Sequence, residues 1–297
     1  RYFGALEPQG KHISFSVTKS FIGTIAASLI EEGILDANET LIKYIPELKG
    51  SGYANATISQ VLDMTASLAF DQTYTNPNSD LWQFTFAAGI RPAPPAYAGP
   101  TSIYDFLPNV KQDGKHGQRF QYLSTNTAVI AWVLSRVTGQ SIEQLLSERL
   151  WQPLGMERDG YLAVDSVGTA WTGGGLSLQL RDLARFGEMM RLNGRFNGRQ
   201  IVPESVVTDI RLCGRKASCV RAKADWNYHN QWWMMHNNDH DAFAARGLYG
   251  QTVYIDPKAE MVIARFSSHP VASGPKTDVA SLPAFKALAK ELMKTKP

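Results

Sequence analysis

Residues Ser14–Phe21 read SFSVTKSF, with a serine at 16 and a lysine at 19 where a long apolar run begins. Behind them Ile22, Ile25, Ala26, Leu29 and Ile30 recur at helical spacing, and Gly33 stands where a helix should stop. The spacing predicts a buried helix starting at Ser16. Two readings of that serine stand side by side. Serine is among the commonest helix caps, and a chain of this composition holds about one S-x-x-K by chance. Alternatively, Lys19 lies one turn along the same face, within reach of the Ser16 oxygen. The free N–H groups and positive end of the helix then favour an alkoxide, and desolvation lowers the lysine's proton affinity until it can serve as a base. A second S-x-x-K, Ser273 to Lys276, lies in a polar stretch with no apolar helix behind it. No G-x-S-x-G or H-E-x-x-H motif offers a rival hydrolase chemistry.

The 297 residues, 44% hydrophobic and 19% charged, can bury a large core. A net charge of +3 from scattered Lys and Arg, with no basic arm or acidic tail, predicts neither a nucleic-acid nor a membrane partner. No apolar run approaches the ~20 residues of a membrane span, and Arg1 opens without a leader pattern, so compartment and oligomeric state are unmarked. Cys213 and Cys219 flank a short loop that fits either a disulfide or two free thiols. His236 and His240 form the one close histidine pair, in a stretch that reads as a turn, so neither metal nor cofactor is expected.

Along the chain, residues 48–170 read as short helices joined by Gly, Pro and Asn turns. Among them a helix carries Val129, Ile130, Val133, Leu134 and Val137 and ends at Gly139, followed by a capping box at Ser141–Gln144. The last third holds a helix near 181–192, another begun by Pro203, a strand in QWWMMH and a hairpin around Pro257. A final helix after Ser281 is predicted to bury Phe285, Leu288, Ala289 and Leu292. The expected fold class is α/β (α+β): an α/β lobe from residues 1–47 and 171–297, and an all-helical lobe from 48–170.

In order along the chain, SFSVTKSF, ISQVLDMTASLAF, VTGQSIEQLLSERLWQPLGM, GGGLSLQLRDLARFGEMM and RGLYGQTVYIDP resemble segments of the serine β-lactamase and penicillin-binding-protein superfamily. The likeness is nearest to its class C, esterase and 6-aminohexanoate-dimer (nylon-oligomer) hydrolase branch and covers nearly the whole chain. The resemblance implies a β-lactamase-like fold, an antiparallel sheet flanked by helices. It makes Ser16 the nucleophile and Lys19 its base. Three Tyr-x-Asn triplets, at Tyr53, Tyr74 and Tyr228, stand in the wrong places, whereas Tyr122 leads directly into the right helix. The resemblance therefore makes Tyr122 the third catalytic group, with Ser124 and Asn126 in a Tyr-x-Ser-x-Asn pattern. The lactamase Lys-Thr-Gly, normally on an edge strand, corresponds to Ala245-Arg246-Gly247, which lacks the lysine. Gly247 admits substrate backbone, and the N–H groups of Ser16 and Leu248 are the implied oxyanion hole. Tyr74 resembles a substrate-contacting tyrosine.

These roles imply acyl transfer through Ser16 to a small ester or amide, with no cofactor. The alternatives are a β-lactamase, a D-Ala-D-Ala carboxypeptidase, or a non-catalytic penicillin-binding or scaffold protein. Family members carry a helix and strands before the nucleophile helix, whereas fifteen residues precede Ser16 here: either this is a fragment lacking its N-terminal part, or those strands are absent and a sheet edge is open.

Overall fold

Val17–Glu31 forms helix α1, buried on every side from Val17 to Leu29. Its sequence is apolar or small all round, which marks a helix enclosed by others rather than one with a wet face. Phe21 shows the packing: its ring stacks on Phe186 at 3.7 Å, and Phe186 lies 5.7 Å from Trp232. Truncating Phe21 to alanine would cost ~3–5 kcal/mol. The computed structural model describes every residue except 1, 5, 214–218, 224, 237–239, 273–274 and 295–297, and of 275–279 only the backbone.

The further helices are α2 (Leu41–Tyr44), α3 (Ile58–Leu62), α4 (Asp80–Ala87), α5 (Ile103–Phe106), α6 (Ser124–Thr138), α7 (Ile142–Leu146), α8 (Gln152–Leu154), α9 (Leu180–Arg191), α10 (Glu204–Leu212) and α11 (Pro275–Lys294). The strands are β1 (Lys11–Ile13), β2 (Leu68–Ala69), β3 (Lys111–Gln112), β4 (Tyr161–Leu162), β5 (Leu176–Gln179), β6 (Arg195–Phe196), β7 (Arg199–Gln200), β8 (Val220–Lys223), β9 (Trp226–His229), β10 (Trp232–Met235), β11 (Phe243–Arg246), β12 (Thr252–Asp256) and β13 (Met261–Arg265). An antiparallel sheet runs β13-β12-β11-β10-β9-β8, and a smaller one runs β1-β5-β4.

The central strands β10, β11 and β12 of the large sheet are largely apolar on both faces because both are covered. Trp232 and Met234 of β10, with Val253 and Ile255 of β12, join the core around α1, α6, α9 and α10. The alternating Trp233, Met235 and Tyr254 join a second core with Ala289 of α11. Two outer strands bound this sheet, and β13, one of them, pairs only with β12 among the described residues.

Several expectations hold. Helix α6 ends at Gly139 in the left-handed conformation, φ +68°, Ser141 and Gln144 form the capping box, and the β12–β13 hairpin turns at Pro257. Cys213 and Cys219 are joined as a disulfide, with Cα atoms 5.6 Å apart. Three expectations are corrected. The stretch 48–170 is not purely helical: it holds the β2–β3 pair, and its β4 joins β5 and β1. Strands of two residues show no alternation to read. Helix α11 starts at Pro275 rather than after Ser281. Its buried stripe runs Leu282, Phe285, Ala289 and Met293, while Leu288 and Leu292 are exposed.

Candidate active site

Phe15, the residue before Ser16, has φ +46°, a left-handed backbone that costs a bulky side chain energy and persists only where its surroundings impose it. Ser14 supplies the restraint. Its N–H and hydroxyl both donate to the Leu176 carbonyl at 2.8 Å, tying the bend to β5. The chain therefore enters α1 with Ser16 already in helical conformation, φ −65° and ψ −5°, and its hydroxyl caps no helix N–H.

That hydroxyl instead accepts a hydrogen bond from the Lys19 amine at 3.1 Å. Lys19 is fully buried. Its other partners are the Ser124 hydroxyl at 3.2 Å, at the first turn of α6, and the carbonyl of Gly173. No carboxylate pairs with it among the described residues. Burial therefore acts unopposed and lowers its pKa from 10.5 to about 7.

Tyr122 brings its ring to 5.2 Å from the Lys19 nitrogen. Burial drives its pKa upward, a rise opposed by hydrogen bonds to Ser16 and to the Trp233 side chain and by the charge of Arg246. Its ring meets Tyr228 edge-on at 5.7 Å and lies 5.3 Å from Trp233. Ser16, Lys19, Tyr122 and Ser124, which the sequence places 108 positions apart at the extremes, thus form one cluster.

Gly247 closes another side. A Cβ there would stand 2.4 Å from the Ser14 carbonyl oxygen and 3.3 Å from the Phe15 side chain, so only glycine lets β11 lie this close to the nucleophile turn. Leu248 follows as the first residue of a short 3₁₀ helix, Leu248–Gly250. The N–H groups of Ser16 and Leu248 both stand at helix starts, where no intrahelical acceptor exists. The strand differs from expectation. β11 lies between β10 and β12 rather than at the sheet edge, its register pairing Phe243 and Ala244 with β10 and Phe243–Arg246 with β12.

Tyr74 lies near enough to Tyr122 for its charge to raise the Tyr122 pKa. Its hydroxyl accepts from Gln72 at 3.3 Å, and its carbonyl holds the Trp82 indole N–H at 2.9 Å. Asn126 is fully buried and faces away from solvent: its oxygen accepts from Tyr53 at 2.9 Å and its nitrogen contacts the Met64 sulfur at 3.3 Å. It anchors α6 rather than offering an amide to a ligand.

Three participants escaped the sequence reading. The Gly173 carbonyl holds Lys19, Trp233 holds Tyr122, and Phe15 carries the strained turn. The run Gly173–Gly175 was the one visible sign, because a Cβ on Gly173 would stand 2.9 Å from that of Ser124. His236 and His240 turn to separate partners, Arg221 at 2.6 Å and Asp256 at 2.7 Å, and no metal-holding cluster occurs among the described residues. The Ser273 motif lies partly outside the described residues. No helix among the described residues is long and apolar enough to cross a membrane.

Comparison with known proteins gives concordant results. The Beta-lactamase family model matches residues 1–282. A 6-aminohexanoate-dimer hydrolase of Paenarthrobacter ureafaciens is 35% identical over 274 residues, spanning 91% of this chain and 69% of the relative. A Bacillus anthracis structure, provisionally assigned as a 6-aminohexanoate-dimer hydrolase, superposes with a TM-score of 0.91 at 36% identity, covering 100% of this chain and 77% of that one. A family VIII carboxylesterase shares the fold, with a TM-score of 0.70 at 15% identity over 96% of this chain and 84% of its own.

Proposed function

This chain belongs to the beta-lactamase family of enzymes, and from that premise we propose that it is a serine hydrolase cleaving esters or small amides through an acyl-enzyme on Ser16. One observation carries the reading. The Ser16 hydroxyl caps no helix amide and takes a buried amine instead, and burying that amine with no carboxylate beside it costs stability.

The two neighbouring titrations assign the proton. With a pKa of about 7, Lys19 is largely neutral in mildly alkaline solution and can accept the proton of Ser16. Tyr122, pushed above the ordinary tyrosine range, stays a phenol and so acts as a relay rather than as the base. Ser16 Oγ forms its bond to the substrate carbonyl carbon while its proton passes to Lys19. The amine returns that proton through the Tyr122 hydroxyl to the departing alkoxide or amine as the carbon–heteroatom bond breaks. Water then attacks the acyl carbon, its proton passing through Tyr122 and Lys19 to Ser16 Oγ as the bond between that oxygen and the acyl carbon breaks, and the acid is released. The N–H groups of Ser16 and Leu248 serve as oxyanion donors, each worth on the order of 3 kcal/mol in a water-poor site. Tyr74 stands beside Tyr122 as a wall for the substrate, and the stretch 48–170, taken as the second lobe, supplies Tyr74, Tyr122 and Ser124 to the site.

Substrate class follows from what the third motif lacks. With Ala245 in the lysine position, esters and short amides such as a 6-aminohexanoate dimer are favoured over penicillins, and the named activity of the Paenarthrobacter relative supports this choice. The test is a panel of p-nitrophenyl esters, 6-aminohexanoate dimer and nitrocefin, assayed with wild type and Ser16→Ala. Ester or dimer turnover lost in the variant, with a fluorophosphonate adding mass to wild type alone, is the expected result. Equal turnover by both proteins, or no labelling at Ser16, would overturn the proposal.

A further inference from the structure

The turn between β9 and β10 reaches into the helices that carry the catalytic pair. Gln231 sits in it at φ +65°, next to Asn230 at +48°, a conformation uncommon for residues other than glycine. Its side chain is 1% exposed and fully engaged. The amide nitrogen donates to the Leu62 carbonyl at 2.7 Å, and the amide oxygen accepts the Thr127 hydroxyl at 2.7 Å. The Gln231 backbone carbonyl accepts the Ser20 hydroxyl at 2.8 Å. Ser20 adjoins Lys19 on α1, and Thr127 lies one turn beyond Ser124 on α6. One residue thereby ties together the two helices whose side chains meet at the base.

Gly23 makes the contact possible. A Cβ there would stand 2.2 Å from the Asn230 carbonyl oxygen and 2.6 Å from the Gln231 Cβ, so the turn seats directly in a notch on α1. The turn is also held from behind. His229 bridges the carboxylates of Asp63 at 2.9 Å and Asp209 at 2.7 Å, and the Asn230 N–H donates to Asp63 at 3.0 Å.

We propose that Gln231 is a positioning residue for the catalytic base: by fixing α6 against α1 it holds the Ser124 hydroxyl on the Lys19 amine and keeps water from that amine. This rests on the proposed role of Lys19 and gives Gln231 no contact with substrate. Lys19 is faced by Ser16 on its own helix, Ser124 on α6, the Gly173 carbonyl before β5 and the Tyr122 phenol before α6. None of these is a carboxylate, so admission of water is what would change its titration. A displacement of about 1 Å suffices to cost ~10²-fold in rate.

The test compares Gln231→Leu, Thr127→Val and Thr127→Ser with wild type. In protein labelled with ¹³C-lysine, the Lys19 resonance, assigned by its absence in Lys19→Met, is titrated directly. In Gln231→Leu and Thr127→Val the midpoint should rise from about 7 to about 8 or more as water reaches the amine, while Thr127→Ser, which keeps the hydroxyl, stays at the wild-type value. On p-nitrophenyl butyrate, kcat should fall ~10–100-fold in the first two variants with KM changed less than about threefold. An unchanged Lys19 midpoint in a folded Thr127→Val, which carries the test if Gln231→Leu fails to fold, would overturn the proposal. If wild type turns over no ester while the midpoint still moves, the functional reading fails and the positioning role stands.

Discussion

Among the serines that open helices here, Ser16 and Ser141 are each answered by the residue three positions on, and they do opposite things. At Ser141 the backbone is extended, φ −72° and ψ 160°. Its hydroxyl accepts the Gln144 N–H at 3.2 Å, and the Gln144 side chain accepts the Ser141 N–H at 2.8 Å. At Ser16 the backbone has already turned helical after the strained Phe15, and the hydroxyl swings to Lys19. Ser141 satisfies a donor of its helix, whereas the first N–H groups of α1 go to the backbone carbonyls of Ser14, Phe15 and Ser16, and the Ser16 hydroxyl is left to Lys19. Placement of the preceding residue, more than serine itself, separates a cap from the proposed nucleophile.

The largest effect expected from this contrast falls on Ser16→Ala. Hydrolysis of a p-nitrophenyl ester should drop by at least ~10⁴-fold, since in the proposed mechanism the acyl-enzyme forms on Ser16 Oγ. Its thermal stability should match wild type, because no cap is lost. A drop in melting temperature like that of a lost cap, with activity retained, would make Ser16 the twin of Ser141.

Next comes Lys19→Met, for which a loss of ~10³-fold is expected in kcat/KM. Stability moves the other way. Lys19 titrates near 7 in the folded chain and near 10.5 when unfolded, so between those values the unfolded chain holds a proton that the folded one lacks. Wild-type stability therefore rises with pH across that window, and below it the buried amine costs on the order of a few kcal/mol. The methionine variant should be more stable than wild type at pH 6, and that advantage should shrink towards pH 10, as read by denaturant unfolding. A variant less stable at pH 6 would show that Lys19 is held for packing.

How much of this contrast was legible beforehand depends on range. Helices α1 and α6 and the β12–β13 hairpin span enough residues to display a period, and the capping box at Ser141 is a local pattern. Strands β8, β9 and β11, of four residues each, had no such run. The Gly173 carbonyl could not be read, because a backbone acceptor has no residue type. Tyr228, set aside as a misplaced triplet, is brought by β9 against Tyr122, and only strand pairing reveals that. The notch at Gly23 carries no local signal, since its occupant lies some two hundred positions away.

A smaller effect lies in the pH profile of the intact protein. Because the base must be neutral, kcat/KM should fall about tenfold for each pH unit below a midpoint near 7 and level off above it. Ser141→Ala should give the same curve, as its hydroxyl touches no titrating group of the site. A profile flat from pH 5 to 9 would remove Lys19 as the base.

The smallest effect belongs to Ser141→Ala itself. It removes the acceptor for one helix N–H and frees the Gln144 side chain from its role, a loss of ~1 kcal/mol. In a chain of 297 residues that lowers the melting temperature by only ~2 °C. Activity should be unaltered, since α7 still packs against α1 with Ile142, Leu145 and Leu146 buried. Measured together with Ser16→Ala, the pair should give a double dissociation: stability without activity for one serine, activity without stability for the other. A rate lost in Ser141→Ala would mean that the far end of α1 transmits its packing to the site, and the separation between the two serines would fail at its simpler member.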